Sequence, residues 1–338
     1  MKILMVNPPF RFNDDEWITV PPQGYGGIQW IIKNLIDGLV ELGHEVFLIG
    51  APGSNSNLDK YHVYDIGSPS EISSFLSTIK DEKIIVHDHS CRGIEFRDWI
   101  DFSKCKNVIH SHYLVSKPYY KKNLIMASNA HSKSVMNMDL PYIRHPVNPS
   151  NYIFRDKKRN YLLFLGRVSS WKGAYEAALF SSLVDIPLVL AGPVWEPNYF
   201  KRILDDFGNN VTYIGEVGEE KKKILLSEAR ATLVFSGGLH EPTGKKWVEP
   251  GSQIVSESAI SGTPIISSPN GCLSEIVPLV GTVVEDIYSL NKISAKKIID
   301  SLPSSKEVYE KCFENWNYIK IAKEYEEYYQ MVLNGYEW

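Results

Sequence analysis

Short apolar runs alternate with segments of helical period along most of the chain, and this alternation restricts the fold more than any other feature of the sequence. Ile3–Val6, Val46–Ile49, Ile84–Val86 and Asn107–Ile109 are runs of the length expected for buried strands. Between the first two, Ile28, Ile31, Ile32, Leu35, Ile36, Leu39 and Val40 fall on one side of a helix that Gly43 stops. Strands separated by helices imply a parallel sheet covered by helices, with ligands beyond the carboxyl ends of the strands.

The pattern pauses once. From His145 to Ser150 the periodicity is lost and two prolines enter, as in a linker. It restarts with a strand at Tyr161–Leu165, a helix at Ala174–Ser182, a strand at Leu188–Leu190, helices at Glu196–Phe207 and Glu219–Glu228, and a strand at Ala231–Phe235. A chain of 338 residues suits two domains of about 150. The expected division is an N-terminal α/β domain over 1–150 and a second over 151–317, with a cleft between them. In the tail, Trp316, Ile319, Ala322, Tyr325, Tyr329 and Val332 recur at helical spacing from Trp316 to Leu333, which predicts an amphipathic helix.

Charge narrows the function. Residues 1–145 carry about 15 basic and 16 acidic side chains and the remainder about 21 and 24, so neither half has the basic surface of a nucleic-acid binder. The four cysteines, Cys91, Cys105, Cys272 and Cys312, are scattered and form no C-x-x-C pair, which reads as thiols in a reducing cytoplasm rather than a zinc site. No stretch approaches 18 uninterrupted apolar residues, so the expectation is a cytoplasmic protein with at most peripheral membrane contact. The basic-aromatic run Lys117–Lys122 reads as a solvated loop, or else as a surface for a membrane or an anionic acceptor.

Three segments carry chemistry. Pro21–Gly27 leads into the first long helix, where glycines free backbone amides to approach an anion and the helix dipole favours it; the alternative is a plain turn. The dinucleotide fingerprint is absent from the turn after the first strand, which runs into Asn7–Pro8–Pro9. Gly166–Gly173 follows the first strand of the second half and places Arg167 and Lys172 where they could neutralise a pyrophosphate, or simply face solvent. In Glu249–Ile266, Ser252 is placed to N-cap a short helix ending near Gly262, with Glu249 before it and Glu257 on its second turn. Two carboxylates so placed could grip hydroxyl groups of one extended ligand.

Together the Gly-Gly loop, Gly-Arg-x-x-x-x-Lys-Gly, the Glu-x-x-x-x-x-x-x-Glu pair and Ser261-Gly262-Thr263-Pro264-Ile265-Ile266 resemble the retaining glycosyltransferases of family 4, in order and spacing over essentially the whole chain. The resemblance implies the GT-B fold: α/β, two Rossmann-like domains with parallel sheets facing across a cleft, and a C-terminal helix of about 318–338 crossing back to the N-terminal domain. It implies transfer of a sugar from a nucleoside-diphosphate sugar, UDP or GDP, to a hydroxyl-bearing acceptor, without metal or cofactor. By the same resemblance Arg167 and Lys172 hold the donor diphosphate, with amides of Gly26, Gly27 and Gly166 beside it. Glu257 binds the donor ribose. Glu249 and the amides of Gly251, Ser252 and Gln253 bind the donor sugar, and His112 reaches the reacting sugar. His87 and His89 are strand-end residues with no metal to hold in this family.

Two features depart from the family pattern. The usual aromatic-Gly pair after the first Glu-Pro is Gly251–Ser252 here, which removes a bulky wall beside the sugar. A second Glu-Pro at Glu241–Pro242 permits a register eight residues earlier, but only Glu257 is followed at the right distance by Gly-Thr-Pro and a strand. Gly237–Trp247 then reads as an extended loop. A nucleotide-sugar epimerase and a non-catalytic nucleotide-sugar binding protein are the competing functions.

Overall fold

The computed structural model describes all residues except 10–16, 25, 57–59, 80–82, 91–99, 104, 111–121, 137–138 and 241–243. Two compact units emerge: Met1–Asn148 together with Trp316–Trp338, and Pro149–Asn315.

In the first unit the chain runs β1 (Lys2–Val6), α1 (Gly27–Glu41), β2 (Glu45–Gly50), β3 (His62–Asp65), α2 (Pro69–Thr78), β4 (Ile84–Asp88), β5 (Lys106–His110), β6 (Leu124–Ile125) and α3 (Asn129–Met136). The second contains β7 (Leu162–Leu165), α4 (Ala174–Val184), β8 (Leu188–Ala191), α5 (Pro197–Phe207), β9 (Val211–Tyr213), α6 (Glu219–Glu228), β10 (Ala231–Val234), the hairpin β11 (Leu239–His240) and β12 (Lys245–Lys246), α7 (Gln253–Ile260), β13 (Ile265–Ser267), α8 (Leu273–Ile276), β14 (Gly281–Val283), α9 (Lys292–Asp300) and α10 (Ser305–Trp316). The last helix, α11 (Tyr318–Leu333), belongs to the first unit.

Both sheets are parallel and share one topology. The orders are β3-β2-β1-β4-β5-β6 and β14-β13-β10-β7-β8-β9, so each unit starts at the centre, winds outward on one side, then returns and winds outward on the other. That order has a switch point beside the first strand, where open α/β sheets bind ligands.

The predicted stripe of α1 forms the core of the first unit: Ile32, Leu35, Ile36 and Leu39 are fully buried against β1 and β2 and against Ile321, Ala322, Tyr325 and Tyr329 of α11. At the crossing of α1 and α11 a Cβ on Gly38 would lie 2.4 Å from the Tyr318 carbonyl oxygen, so glycine sets how closely these helices approach. The chain passes this region twice side by side, with Val147 N–H donating to Trp316 O and Tyr318 N–H to Val147 O. The tail helix predicted from Trp316 begins later. Asn317 accepts from the N–H groups of Ile319 and Lys320 and caps α11, so Trp316 instead ends α10.

Candidate active site in the second unit

The segment after β7 is fastened to the segment after β8. Gly166 N–H donates to Ala191 O at 2.9 Å, Val168 N–H to Pro193 O at 2.9 Å, and Trp195 N–H to Val168 O at 3.1 Å. Gly192, at φ +132°, permits this approach, because a Cβ there would lie 2.0 Å from the Gly166 oxygen. Arg167 is thereby set beside aromatic rings, its guanidinium 4.8 Å from the Trp195 ring centre and 5.9 Å from that of Trp171. The backbone N–H and hydroxyl of Ser170 both donate to Glu196. A turn over Ser170–Lys172 then ends at Gly173, whose φ of +75° and closeness to Phe235 O, 2.1 Å from a would-be Cβ, exclude a side chain.

Lys172 donates to Glu249 Oε2 at 2.8 Å, and Trp247 Nε1 donates to the same oxygen at 2.9 Å. The Lys172 ammonium also sits 4.8 Å from the Trp247 ring centre. Glu249 is 6% exposed. Burial alone raises its pKa, but the charge of Lys172 and the hydrogen bonds from Lys172 and Trp247 outweigh that and hold it below the ordinary carboxylate range. The backbone of Glu249 is clamped as well: Cys272 N–H donates to its carbonyl at 2.9 Å, and a Cβ on Gly271, at φ +57°, would lie 2.3 Å from that oxygen. The run around Asn270–Leu273 therefore positions the catalytic-site candidate from behind.

Gly251 and Ser252 follow, and Gln253 opens α7, whose first turn carries no acidic residue to occupy its N–H groups. Ser252 occupies the N-cap position but does not cap. Side-chain capping needs extended backbone, whereas Ser252 is left-handed at φ +34°, and its buried hydroxyl makes no hydrogen bond among the described residues. Glu257, on the second turn of α7 and 4% exposed, accepts from Lys222 Nζ at 2.6 Å and from the Tyr152 hydroxyl at 2.9 Å.

Arg167, Lys172, Glu249, Gly166, Gly251, Ser252, Gln253 and Glu257 thus all lie in the second unit. Gly26 and Gly27 open α1 in the first, again with no acid in the first helical turn. A Cβ on Gly26 would meet Pro22 at 2.6 Å, while Gly27 faces open space. His112 and the alternative Glu241 lie outside the described residues. His87 and His89 are buried and stacked at 4.2 Å, with His87 Nδ1 2.6 Å from the Tyr329 hydroxyl. Desolvation lowers the pKa of His87 to about 3, so it is a neutral core group. Among the described residues no group of three His, Cys, Asp or Glu is placed to hold a metal ion, and no helix is long and apolar enough to cross a membrane.

Sequence reading missed Trp195, His240, Trp247, Tyr152 and Lys222. The Gly237–Trp247 stretch is more ordered than an extended loop: β11 and β12 pair in it, and His240 packs against Trp171 and Trp247. The available signal was Trp247 itself, two residues before Glu249.

Residues 151–315, nearly the whole second unit, match the family described as Glycosyl transferases group 1. The crystal structure of AviGT4, a glycosyltransferase involved in avilamycin A biosynthesis, is 41% identical, with a TM-score of 0.90 over 100% of this chain and 99% of that one. This chain is a group 1 glycosyltransferase. Its fold class is GT-B, with α/β domains built on parallel sheets. More distant structures share the fold alone. Sucrose-phosphate synthase from Thermosynechococcus elongatus is 14% identical with a TM-score of 0.70, over 99% of this chain and 100% of that one. Anabaena Alr3699/HepE, solved with UDP-glucose, is 15% identical with a TM-score of 0.63, over 97% and 98%. No curated protein sequence matches the glycosyltransferase significantly.

Proposed function

We propose that this glycosyltransferase is a retaining, metal-independent enzyme of family 4, acting in the cytoplasm on a UDP- or GDP-sugar and a hydroxyl-bearing acceptor. The observation that carries this reading is the Lys172–Glu249–Trp247 constellation beside Arg167: a cation and a carboxylate 77 residues apart, held together behind the carboxyl end of the central strand β7.

The chemistry asks little covalent work of the protein. The bond between the anomeric carbon and the diphosphate breaks with its electron pair going to the phosphate oxygen, and the sugar becomes oxocarbenium-like. The acceptor oxygen attacks from the same face and its proton passes to the departing phosphate. Arg167 and Lys172 stabilise the growing negative charge where it forms, which in such preorganised sites is the largest contribution to rate. They supply the charge that a metal supplies in other transferases. Glu249 accepts hydrogen bonds from sugar hydroxyls. Its two oxygens offer about four acceptor positions, and Lys172 and Trp247 use only Oε2. Amides of Gly166, Gly251, Ser252 and Gln253 donate to the diphosphate and sugar, helped by the uncapped start of α7. Glu257 receives the ribose hydroxyls, Gly26 and Gly27 add amides from α1, and His112 reaches the reacting sugar.

Thermal-shift and hydrolysis screening with UDP-, GDP-, ADP- and TDP-sugars tests the reading. At least one member raises the melting temperature and is cleaved, EDTA leaves cleavage unchanged, and the glycoside formed when a hydroxyl acceptor is added keeps the anomeric configuration of the donor. A panel with no binding member overturns the donor assignment; an inverted product overturns retention alone.

A further inference from the structure

The rings around the Gly166–Gly173 segment form a continuous run. Trp195 meets Trp171 edge to face at 6.3 Å, Trp171 meets His240 at 4.9 Å, and His240 meets Trp247 at 5.0 Å. Each end carries a cation, Arg167 against Trp195 and Lys172 against Trp247, both at 4.8 Å. His240 is the ionisable ring of this run, and it is buried within it.

We propose that His240 is a positioning residue of the donor site that takes a proton from solvent when a nucleoside-diphosphate sugar binds, and then shares the charge of the diphosphate with Arg167 and Lys172. This rests on the reading of Arg167 and Lys172 as the diphosphate contacts. The groups facing His240 are mostly cationic: Arg167 and Lys172 from the segment after β7, and exposed Lys245 directly opposite in the hairpin. Beyond Trp247, the Glu249 carboxylate is already engaged by Lys172 and the indole. Glu241, the next residue, lies outside the described residues.

With the site empty, burial and then the charges of Arg167 and Lys172 hold His240 below the ordinary histidine range. A donor brings the negative charges of a diphosphate diester, neither of which titrates near neutrality, to the same two cations. One charge within about 8 Å at the effective dielectric of a protein site shifts a protonation equilibrium by roughly tenfold or more. The proton adds to a ring nitrogen of His240, and no bond of the donor is made or broken in this step. Donor affinity then strengthens as pH falls from about 8 towards 6, by at most about tenfold per pH unit for one proton. After transfer the leaving diphosphate carries one more ionisable oxygen, and the same imidazolium faces it.

Calorimetry of the full chain with UDP-, GDP-, ADP- and TDP-glucose, each in two buffers of different ionisation enthalpy at pH 6.5, decides the matter. The wild type takes up a measurable fraction of a proton per bound donor. H240Q binds the same donor severalfold more weakly at pH 6.5, equals the wild type near pH 8.5, and takes up none. Wild-type binding without proton uptake, or uptake retained in H240Q, overturns the proposal and leaves the donor site standing. Failure of all four sugars to bind removes the donor-site reading and the proposal with it. Should H240Q not fold, imidazole nitrogen resonances of the wild type decide instead. The His240 resonances, identified by their contacts with the Trp171 and Trp247 rings, move to the protonated pattern on donor addition, and their staying in the neutral pattern overturns the proposal.

Discussion

The buried pairs Lys33–Asp37 of the first unit and Lys172–Glu249 of the second have the same chemistry and different settings. Lys33 and Asp37 are one turn apart on α1, paired at 2.5 Å, with the Asn148 side chain donating to the other Asp37 oxygen at 3.0 Å. Lys172 and Glu249 are 77 residues apart, reach each other from two loops, and rest on an indole that both touches the cation and donates to the acid. In the first pair every partner is local helix or linker, and the pair fastens α1 to the crossing at Pro146–Asn148. In the second, loops brought to the strand end by the whole α/β winding hold a cation and an acid with spare acceptor capacity. A buried ion pair is weak evidence for stability as such; what separates fastening from function is whether the partners leave a lone pair and a positive charge free to serve a ligand.

The largest expected effect breaks the first pair. D37A leaves the Lys33 ammonium buried without its counter-charge and strips Asn148 of its acceptor, which should cost about 3 to 5 kcal/mol of stability. Urea unfolding checks the loss, and turnover per folded molecule should stay within about twofold of the wild type. A D37A protein of normal stability but lost turnover would erase the contrast between the pairs.

K172A tests the other side. Removing a preorganised donor aimed at developing charge costs about a hundredfold or more in transfer rate, measured as initial rates at saturating donor. Glu249 remains buried among Trp247 and the Cys272–Gly271 backbone, so the melting temperature also falls. The deciding quantity is transfer by the folded protein. Near wild-type rates in K172A would make the pair a fastening like Lys33–Asp37.

Acid sharpens the comparison, because the units carry differently titrating groups. His87 titrates at about 3 in the folded state, against about 6.5 in an unfolded chain. The unfolded state therefore binds more protons between those values, and stability falls with pH from about 6.5 downward, by up to about 1.4 kcal/mol per unit from this group. Glu249, with its pKa lowered, contributes stability that is intact above the ordinary carboxylate range and is lost only as pH falls through its folded value. Loss between pH 6.5 and 5 is thus a histidine signature, to which His44 and His240, also held below the ordinary range, add their part, and H87Q isolates the share of His87. Urea midpoints against pH should show a shallower decline in H87Q; an unchanged slope would remove His87 as the cause.

Much of the frame was legible because burial on both faces of a parallel sheet writes itself as continuous apolar runs. β1, β2 and β7 lie where such runs predict strands, and α6 spans Glu219–Glu228 as predicted. β3, with mostly exposed His62–Asp65, left no apolar signal, and the two-residue β6, though apolar and buried, is too short to stand out as a strand. The order of Arg167, Lys172, Glu249 and Glu257 along the chain was equally plain, since charge after a strand stands out. Their partners were not: Tyr152 meets Glu257 across 105 residues and Lys222 across 35. Ser252 misled for a local reason, as its residue type signals a cap but its left-handed backbone prevents one.

Glu257 stands between the two kinds of pair and offers the finest test. Like Asp37 it is buried and bound to a lysine, here Lys222, which is itself only 13% exposed. Like Glu249 it belongs to the segment that opens at the strand ends, and its two partners come from separate stretches of chain. E257Q keeps the shape and one acceptor oxygen but removes the charge. If the carboxylate receives ribose hydroxyls, calorimetry should show the free nucleoside diphosphate bound about tenfold more weakly, the worth of one charge-assisted hydrogen bond. The saturated transfer rate should stay within about threefold, because the ribose lies away from the breaking bond. A fall in melting temperature with unchanged nucleotide affinity would instead place Glu257 with Asp37, as a fastening between α7, α6 and the turn at Tyr152.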